Sequence, residues 1–184
     1  MTPLEKLKAM KMPFAELKGV EFVEAEKDRV VARMTVRPDL CTLHHTIHGG
    51  AVMALADSVG AAATVINLPE DAKGTTTLES KTNFIGGAKE GTTVIATATP
   101  VHRGRRTQVW STRLETEDGK LVAVVTQTQL ASYDYGGLIL LTNWSLSMPE
   151  TWAGSRLEKY AATHNIGDLG IRTPPRGTPR GVLT

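Results

Sequence analysis

The sequence predicts an α+β domain in which one antiparallel sheet wraps around a long central helix, and three observations predict it. Apolar and polar residues alternate in two stretches before residue 37 and in four more after residue 75, which is the period of half-buried strands. Between these groups, residues 51–66 are dense in Ala, Leu, Met and Val and carry a single charge, Asp57. The whole chain has 184 residues with 41% hydrophobic content, enough for one domain with a substantial core and too short for a second full domain. Two strands, one long apolar helix and four strands are accounted for by a single sheet that buries the helix.

Each element follows in order. Residues 3–10 place Leu4 and Leu7 one turn apart between charges, as in a short amphipathic helix, and Gly19 ends that region. Residues 20–25 and 29–36 form a hairpin around the charged turn Glu26-Lys27-Asp28, and Arg37-Pro38-Asp39 stops its second strand. Residues 40–50 hold three histidines and a Gly-Gly pair and read as a loop leading to a helix N-terminus. The long helix ends near Asn67-Leu68-Pro69. The later strands are expected at 76–84, 92–101, 107–116 and 121–132, with connections through Gly86-Gly87, Gly104 and Asp118-Gly119. The domain therefore spans 1–132, with its core from about residue 20, and a C-terminal extension occupies 133–184. That extension loses periodicity and ends in a Pro-, Gly- and Arg-rich run, a composition expected to be irregular or disordered.

Charge and cysteine content narrow the function. Twenty-one basic and 19 acidic residues leave a formal charge of +2, too balanced to argue for a nucleic-acid partner. One cysteine, Cys41, rules out an intrachain disulfide, a CxxC redox pair and a cysteine-based zinc site, and a cytoplasmic setting fits best. The N-terminal residues have no signal-peptide pattern, and no run of about eighteen apolar residues is expected to span a membrane.

Four groups of residues are candidates for chemistry. Gly49 and Gly50 precede the buried helix, where free amides and the positive end of the helix dipole suit an oxygen that becomes negative during attack; a tight turn needing glycine is the simpler alternative. Asp57 is a lone carboxylate among apolar helix residues, costly unless paired, and reads either as a reactive acid or as a structural one bonded to the backbone. It lies seven residues beyond Gly50, roughly 10 Å along a helix axis, so one carbonyl cannot meet both groups of the same helix. A shared site requires antiparallel helices from two subunits. Thr75, Thr76 and Thr77 open a strand in which alternate hydroxyls face the helix, although Thr is also common in strands by propensity alone. Arg103, Arg105 and Arg106 surround a turn and are able to hold phosphate, or else form a solvated basic turn. His44, His45 and His48 precede the helix and have no neighbouring acid to complete a metal site, so no metal is expected and His48 is read as bracing the loop. Neither Cys41 nor any serine sits in a nucleophile-elbow sequence.

Taken together, the run from His48-Gly49-Gly50 to Asp57, the Thr-rich strand and Arg103-Gly104-Arg105-Arg106 resemble the hotdog-fold acyl-CoA thioesterases of the phenylacetate-degradation (PaaI-like) type, related to 4-hydroxybenzoyl-CoA thioesterases. The resemblance covers about residues 20–132. It implies a cofactor-free hydrolase that splits an acyl-CoA into free acid and CoA, working as a homodimer at least or as a homotetramer built from two dimers. By this resemblance, Gly49 and Gly50 supply amides to the thioester oxygen and His48 braces their turn. Asp57 of the partner subunit acts as base or nucleophile, Thr77 positions water, and Arg103, Arg105 and Arg106 lie near the nucleotide end of CoA. Two positions depart from the pattern: Thr42 stands where many relatives carry Asn or Gln, and His45 where they often carry Gly. Two alternatives share the fold: a hydratase or dehydratase acting on acyl thioesters, and a non-catalytic acyl-CoA binding protein.

Overall fold

In the computed structural model of the protein, residues 1–133 are described. The expected C-terminal extension therefore lies, apart from Tyr133, outside the described residues.

Helix α1 (Pro3–Ala9) starts with a capping box: the Thr2 hydroxyl accepts from the Glu5 amide at 3.2 Å, and the Thr2 amide donates to the Glu5 carboxylate at 2.7 Å. A second short helix, α2 (Pro13–Lys18), follows where none was expected. Pro13 opens it and Gly19, at φ 74°, closes it in the left-handed region, the Pro-in, Gly-out asymmetry of helix ends.

The predicted hairpin is β1 (Glu21–Glu26) with β2 (Arg29–Thr35). Two short strands, β3 (Cys41–Thr42) and β4 (Thr46–Ile47), pair with each other in the histidine loop. Helix α3 (Gly49–Ile66) follows, and then β5 (Gly74–Phe84), β6 (Thr93–Arg103), β7 (Thr107–Thr116) and β8 (Leu121–Ser132). The main sheet has six strands in the order β1-β2-β6-β7-β8-β5, every neighbouring pair antiparallel. Helix α3 packs against all six.

The buried side of α3 carries Val52, Leu55, Ala56, Val59, Ala62 and Ala63, the i, i+3, i+4, i+7 spacing of one helix face. These residues meet Val30, Ala32, Met34, Trp110, Leu114 and Val125 from the sheet, each at most 1% exposed. Burying a Val or Leu of this kind contributes about 1.5–3 kcal/mol. By length and hydropathy α3 is apolar enough to cross a membrane, with a mean hydropathy of 1.5, contrary to the expectation from the sequence. Its apolar face is the one that packs on the sheet, as in a core helix. The opposite side exposes Gly50, Met53 and Asp57. Asp57 is therefore not buried within its own chain, as the apolar surroundings in the sequence implied. Its neighbours Ala56 and Val59 face inward while Asp57 faces out.

Candidate active site

The N-terminus of α3 is set up by His48, which is the N-cap. Its Nδ1 accepts from the Gly50 amide at 2.8 Å, the task that Ser or Asp performs at most helix starts. This explains why the helix begins two residues earlier than its apolar periodicity indicates. The Ala51 and Val52 amides both donate to the His48 carbonyl. Of the first-turn amides, only that of Gly49 has no partner among the described residues. Gly49 also lies under the Phe84 ring: a Cβ added there would sit 3.2 Å from two ring carbons. The glycine pair thus divides, with the Gly50 amide committed to the cap and the Gly49 amide available to an outside acceptor.

The loop before this turn is strained. His44 and His45 both take left-handed conformations, with φ of 63° and 53°, a region that costs a non-glycine residue about 1–2 kcal/mol. His45, where the resemblance implies a glycine, has a φ in the region that favours glycine. Glu90 holds the conformation, its amide donating to the His45 carbonyl at 2.9 Å and its carboxylate lying 2.6 Å from His45 Nδ1. Thr42 is exposed, and its hydroxyl has no partner among the described residues.

Asp57 sits two turns along α3 and is reached from the sheet. Thr77 Oγ1 donates to Asp57 Oδ1 at 2.9 Å, and Gln127 Nε2 donates to the same oxygen at 2.8 Å. Gln129 Nε2 in turn donates to Thr77 Oγ1 at 2.9 Å. Asp57 Oδ2 has no partner among the described residues. The fold therefore brings together Asp57 and Thr77 of the predicted residues, and leaves Gly49 eight residues back on the same helix, roughly 12 Å along its axis.

Three residues around Asp57 were not foreseen. Gln127 and Gln129 are fully buried and lie on the same face of β8 as Ala123 and Val125, as their even spacing requires. That continuation of the period was the available signal. Lys18, at the end of α2, is 3% exposed and donates to the Ala54 carbonyl at 2.7 Å and to Ser58 Oγ at 3.3 Å, one turn before and one residue after Asp57. Burial pulls its ammonium from the ordinary 10.5 down to about 8, with the Asp57 charge opposing that fall. No sequence pattern marks this lysine, because α2 itself was not anticipated.

The arginines separate as well. Arg103 donates to the Lys27 carbonyl and Asn67 Oδ1 and pairs with Asp28 at 2.7 Å. Arg105 pairs with Asp71 at 2.5 Å and lies over the Tyr133 ring. The Arg106 guanidinium is exposed and has no partner among the described residues. Among the described residues, no group of three or more His, Cys, Asp or Glu side chains comes together as a metal site. A cleft of about 400 Å³ lies between the N-terminal helices and β1, lined in part by Leu7, Met12 and Phe22. None of the candidate site residues lines it.

The stretch that holds the Gly49 amide and the Asp57 carboxylate is also the stretch over which this chain is similar to known proteins. A family model described as the thioesterase superfamily matches residues 44–123, the span from the histidine loop through Asp57 and Thr77 to the start of β8. The 1,4-dihydroxy-2-naphthoyl-CoA hydrolase of Listeria monocytogenes is 31% identical over 116 residues, covering 61% of this chain and 90% of the relative. A thioesterase of Pseudomonas aeruginosa, solved as a mutant, superposes with a TM-score of 0.65 at 31% identity, over 70% of this chain and 93% of its own. The phenylacetic acid degradation protein PaaI of Thermus thermophilus, also solved as a mutant, gives 0.59 at 33% identity, over 65% and 98%. The chain belongs to the thioesterase superfamily and has its hotdog fold.

Proposed function

We propose that the protein hydrolyses acyl-CoA thioesters at a site shared by two copies of the chain, Asp57 coming from one and the Gly49 amide from the other. The observation that carries this reading is the pair of unused groups on one helix. Among the described residues neither Gly49 N–H nor Asp57 Oδ2 has a partner, and the two stand too far apart to meet one carbonyl. Two α3 helices side by side and antiparallel bring each amide to the other's carboxylate.

The surface favours such pairing. β5 is an edge strand of the sheet, and its free edge offers backbone groups to a second strand. Leu78, Phe84 and Ile85 on and beside it are 54–58% exposed, and Met53 on α3 is 41% exposed. A homodimer is the minimum assembly, and a pair of dimers is compatible with it.

In this reading the thioester oxygen accepts from Gly49 N–H, at the positive end of α3, where developing negative charge is stabilised. Asp57 Oδ2 either takes a proton from water as the water oxygen bonds to the carbonyl carbon, or bonds to that carbon itself. Collapse of the tetrahedral intermediate breaks the C–S bond, and the CoA sulfur leaves as thiolate and is then protonated. In the second route water hydrolyses the acyl-aspartyl link. Arg106 is the arginine free to take a CoA phosphate, because Arg103 and Arg105 are already paired with Asp28 and Asp71.

Substituting Asp57→Asn tests the reading. Release of free thiol from a panel of aryl- and alkyl-CoA esters is expected to fall by about 10²–10⁴-fold with unchanged secondary structure. Undiminished thiol release in that variant refutes the role of Asp57, and addition of water to an enoyl-CoA with no thiol release redirects the assignment to a hydratase.

A further inference from the structure

We infer that Gln127, Gln129 and Thr75 form a one-way hydrogen-bond relay that positions Asp57 and leaves only its Oδ2 to react. The inference rests on the reading of Asp57 as the reactive acid and adds residues that the proposed reaction does not itself require.

The direction of the relay follows from the chemistry of its members. An ionised carboxylate only accepts hydrogen bonds, so the Gln127 group 2.8 Å from Asp57 Oδ1 is its NH₂ end, and Thr77, 2.9 Å from the same oxygen, must donate. A hydroxyl has one proton. Having given it to Asp57, Thr77 has only lone pairs left for Gln129, which therefore presents Nε2 at 2.9 Å. That orientation turns Gln129 Oε1 toward Thr75, whose hydroxyl lies 3.2 Å away, with the Leu130 carbonyl at 3.1 Å as its other acceptor. Reversing any amide places two acceptors or two donors face to face. The two donors converge on Oδ1, fix the carboxylate plane and leave Oδ2 on the exposed side of α3.

Stability alone gives no reason for these glutamines. Both are 0% exposed. Gln127 Oε1 is buried and has no partner among the described residues, and its side chain lies so close to α3 that a Cβ on Gly60 would come within 2.2 Å of Oε1. A buried acceptor with no donor destabilises the fold, whereas a leucine or methionine would fill the same space without that cost. What glutamine alone supplies at residue 127 is the N–H that reaches Asp57.

The test uses substitutions of similar shape in the full chain that remove the donor groups. Gln129→Glu keeps the shape but offers no donor to Thr77, so Thr77 turns its proton toward residue 129 and away from Asp57. We expect kcat to fall about tenfold to a hundredfold with KM within about twofold. Combined with Thr77→Val, Gln129→Glu is expected to add nothing to the loss from Thr77→Val alone, because it acts through that hydroxyl. Gln129→Met offers Thr77 no competing acceptor and should lose less than Gln129→Glu, whereas Gln127→Met deletes the second donor to Asp57 Oδ1 and should also lower kcat, which covers the case of a glutamate that prevents folding. Wild-type kcat in Gln129→Glu, or losses that multiply in the double variant, overturns the relay. Asp57→Asn in the same assay separates the two claims: an inactive Asp57→Asn beside a fully active Gln129→Glu removes the relay and keeps the acid. Crystal structures read the same point without turnover, a single Asp57 rotamer in the wild type and a split one in Gln129→Glu being expected. An unchanged rotamer counts against the relay.

Discussion

The floor beneath α3 has two halves that differ in kind. Under the first half of the helix the sheet presents Ala123, Leu114, Ala96 and Ala32 in neighbouring positions of β8, β7, β6 and β2. Under the second half, the same face of the same strands presents Gln127 and Gln129 on β8 and Gln108 on β7, all at most 1% exposed. The apolar half is ordinary core, stabilising by the area it removes from water. The polar half is held by directed bonds: Gln108 Nε2 to the Asn67 carbonyl at 3.0 Å, Trp110 Nε1 to Thr64 Oγ1 at 2.9 Å, and the glutamines around Asp57. One helix is thus anchored by packing at one end and oriented by hydrogen bonds at the other, and the Asp57 carboxylate lies where orientation takes over.

This contrast is open to direct attack. Leu114→Ala strikes the apolar half and should cost about 2–5 kcal/mol of unfolding free energy in denaturant titration, while the turnover of the molecules that remain folded stays near wild type. Gly60→Ala strikes the boundary, where the new Cβ would meet Gln127 Oε1 at 2.2 Å. Its stability cost should be smaller, about 1–3 kcal/mol, but here kcat should fall as well because Gln127 is pushed from Asp57. If Gly60→Ala loses stability and keeps kcat, the two halves do not differ in function.

The smallest effect concerns Lys18. Its folded value near 8 lies below the ordinary 10.5, so between those limits the unfolded chain binds more protons than the folded one, and stability rises with pH across that window. The cost of burying the ammonium is present in full below about pH 8. Lys18→Met should flatten that rise, measured as Tm from pH 7.5 to 10.5. A slope equal to wild type would mean that the titrating charge lies elsewhere.

The same contrast explains how much was legible beforehand. The apolar half declares itself by periodicity, which is why the sheet and the long helix emerge, and the strands at 107–116 and 121–132 with their observed bounds. Periodicity treats glutamine as solvent-facing, so Gln127 and Gln129 went unnoticed although they stand in the register of Ala123 and Val125. Asp57 was legible as a charge in an apolar run, but which side of α3 it occupies depends on the helical phase of its neighbours. The early start of α3 was hidden because histidine is an uncommon N-cap. The left-handed His44 and His45 were hidden because only the pairing of the loop with Lys89 and Glu90 imposes that conformation. Helix α2 was written in Pro13 and Gly19, six residues apart, a spacing too short for hydrophobic periodicity to register.

The central claim, that acid and amide come from different copies, is tested most directly by mixing two inactive variants. Gly49→Pro deletes the amide at a first helical position that tolerates proline, after a His48 whose ψ of 138° suits a following proline. Asp57→Asn disables the acid. Co-refolded in equal amounts, half of the dimers are mixed, and each mixed dimer has one intact site out of two. About a quarter of wild-type thiol release should therefore return. A mixture no more active than its two parents would contradict the shared site.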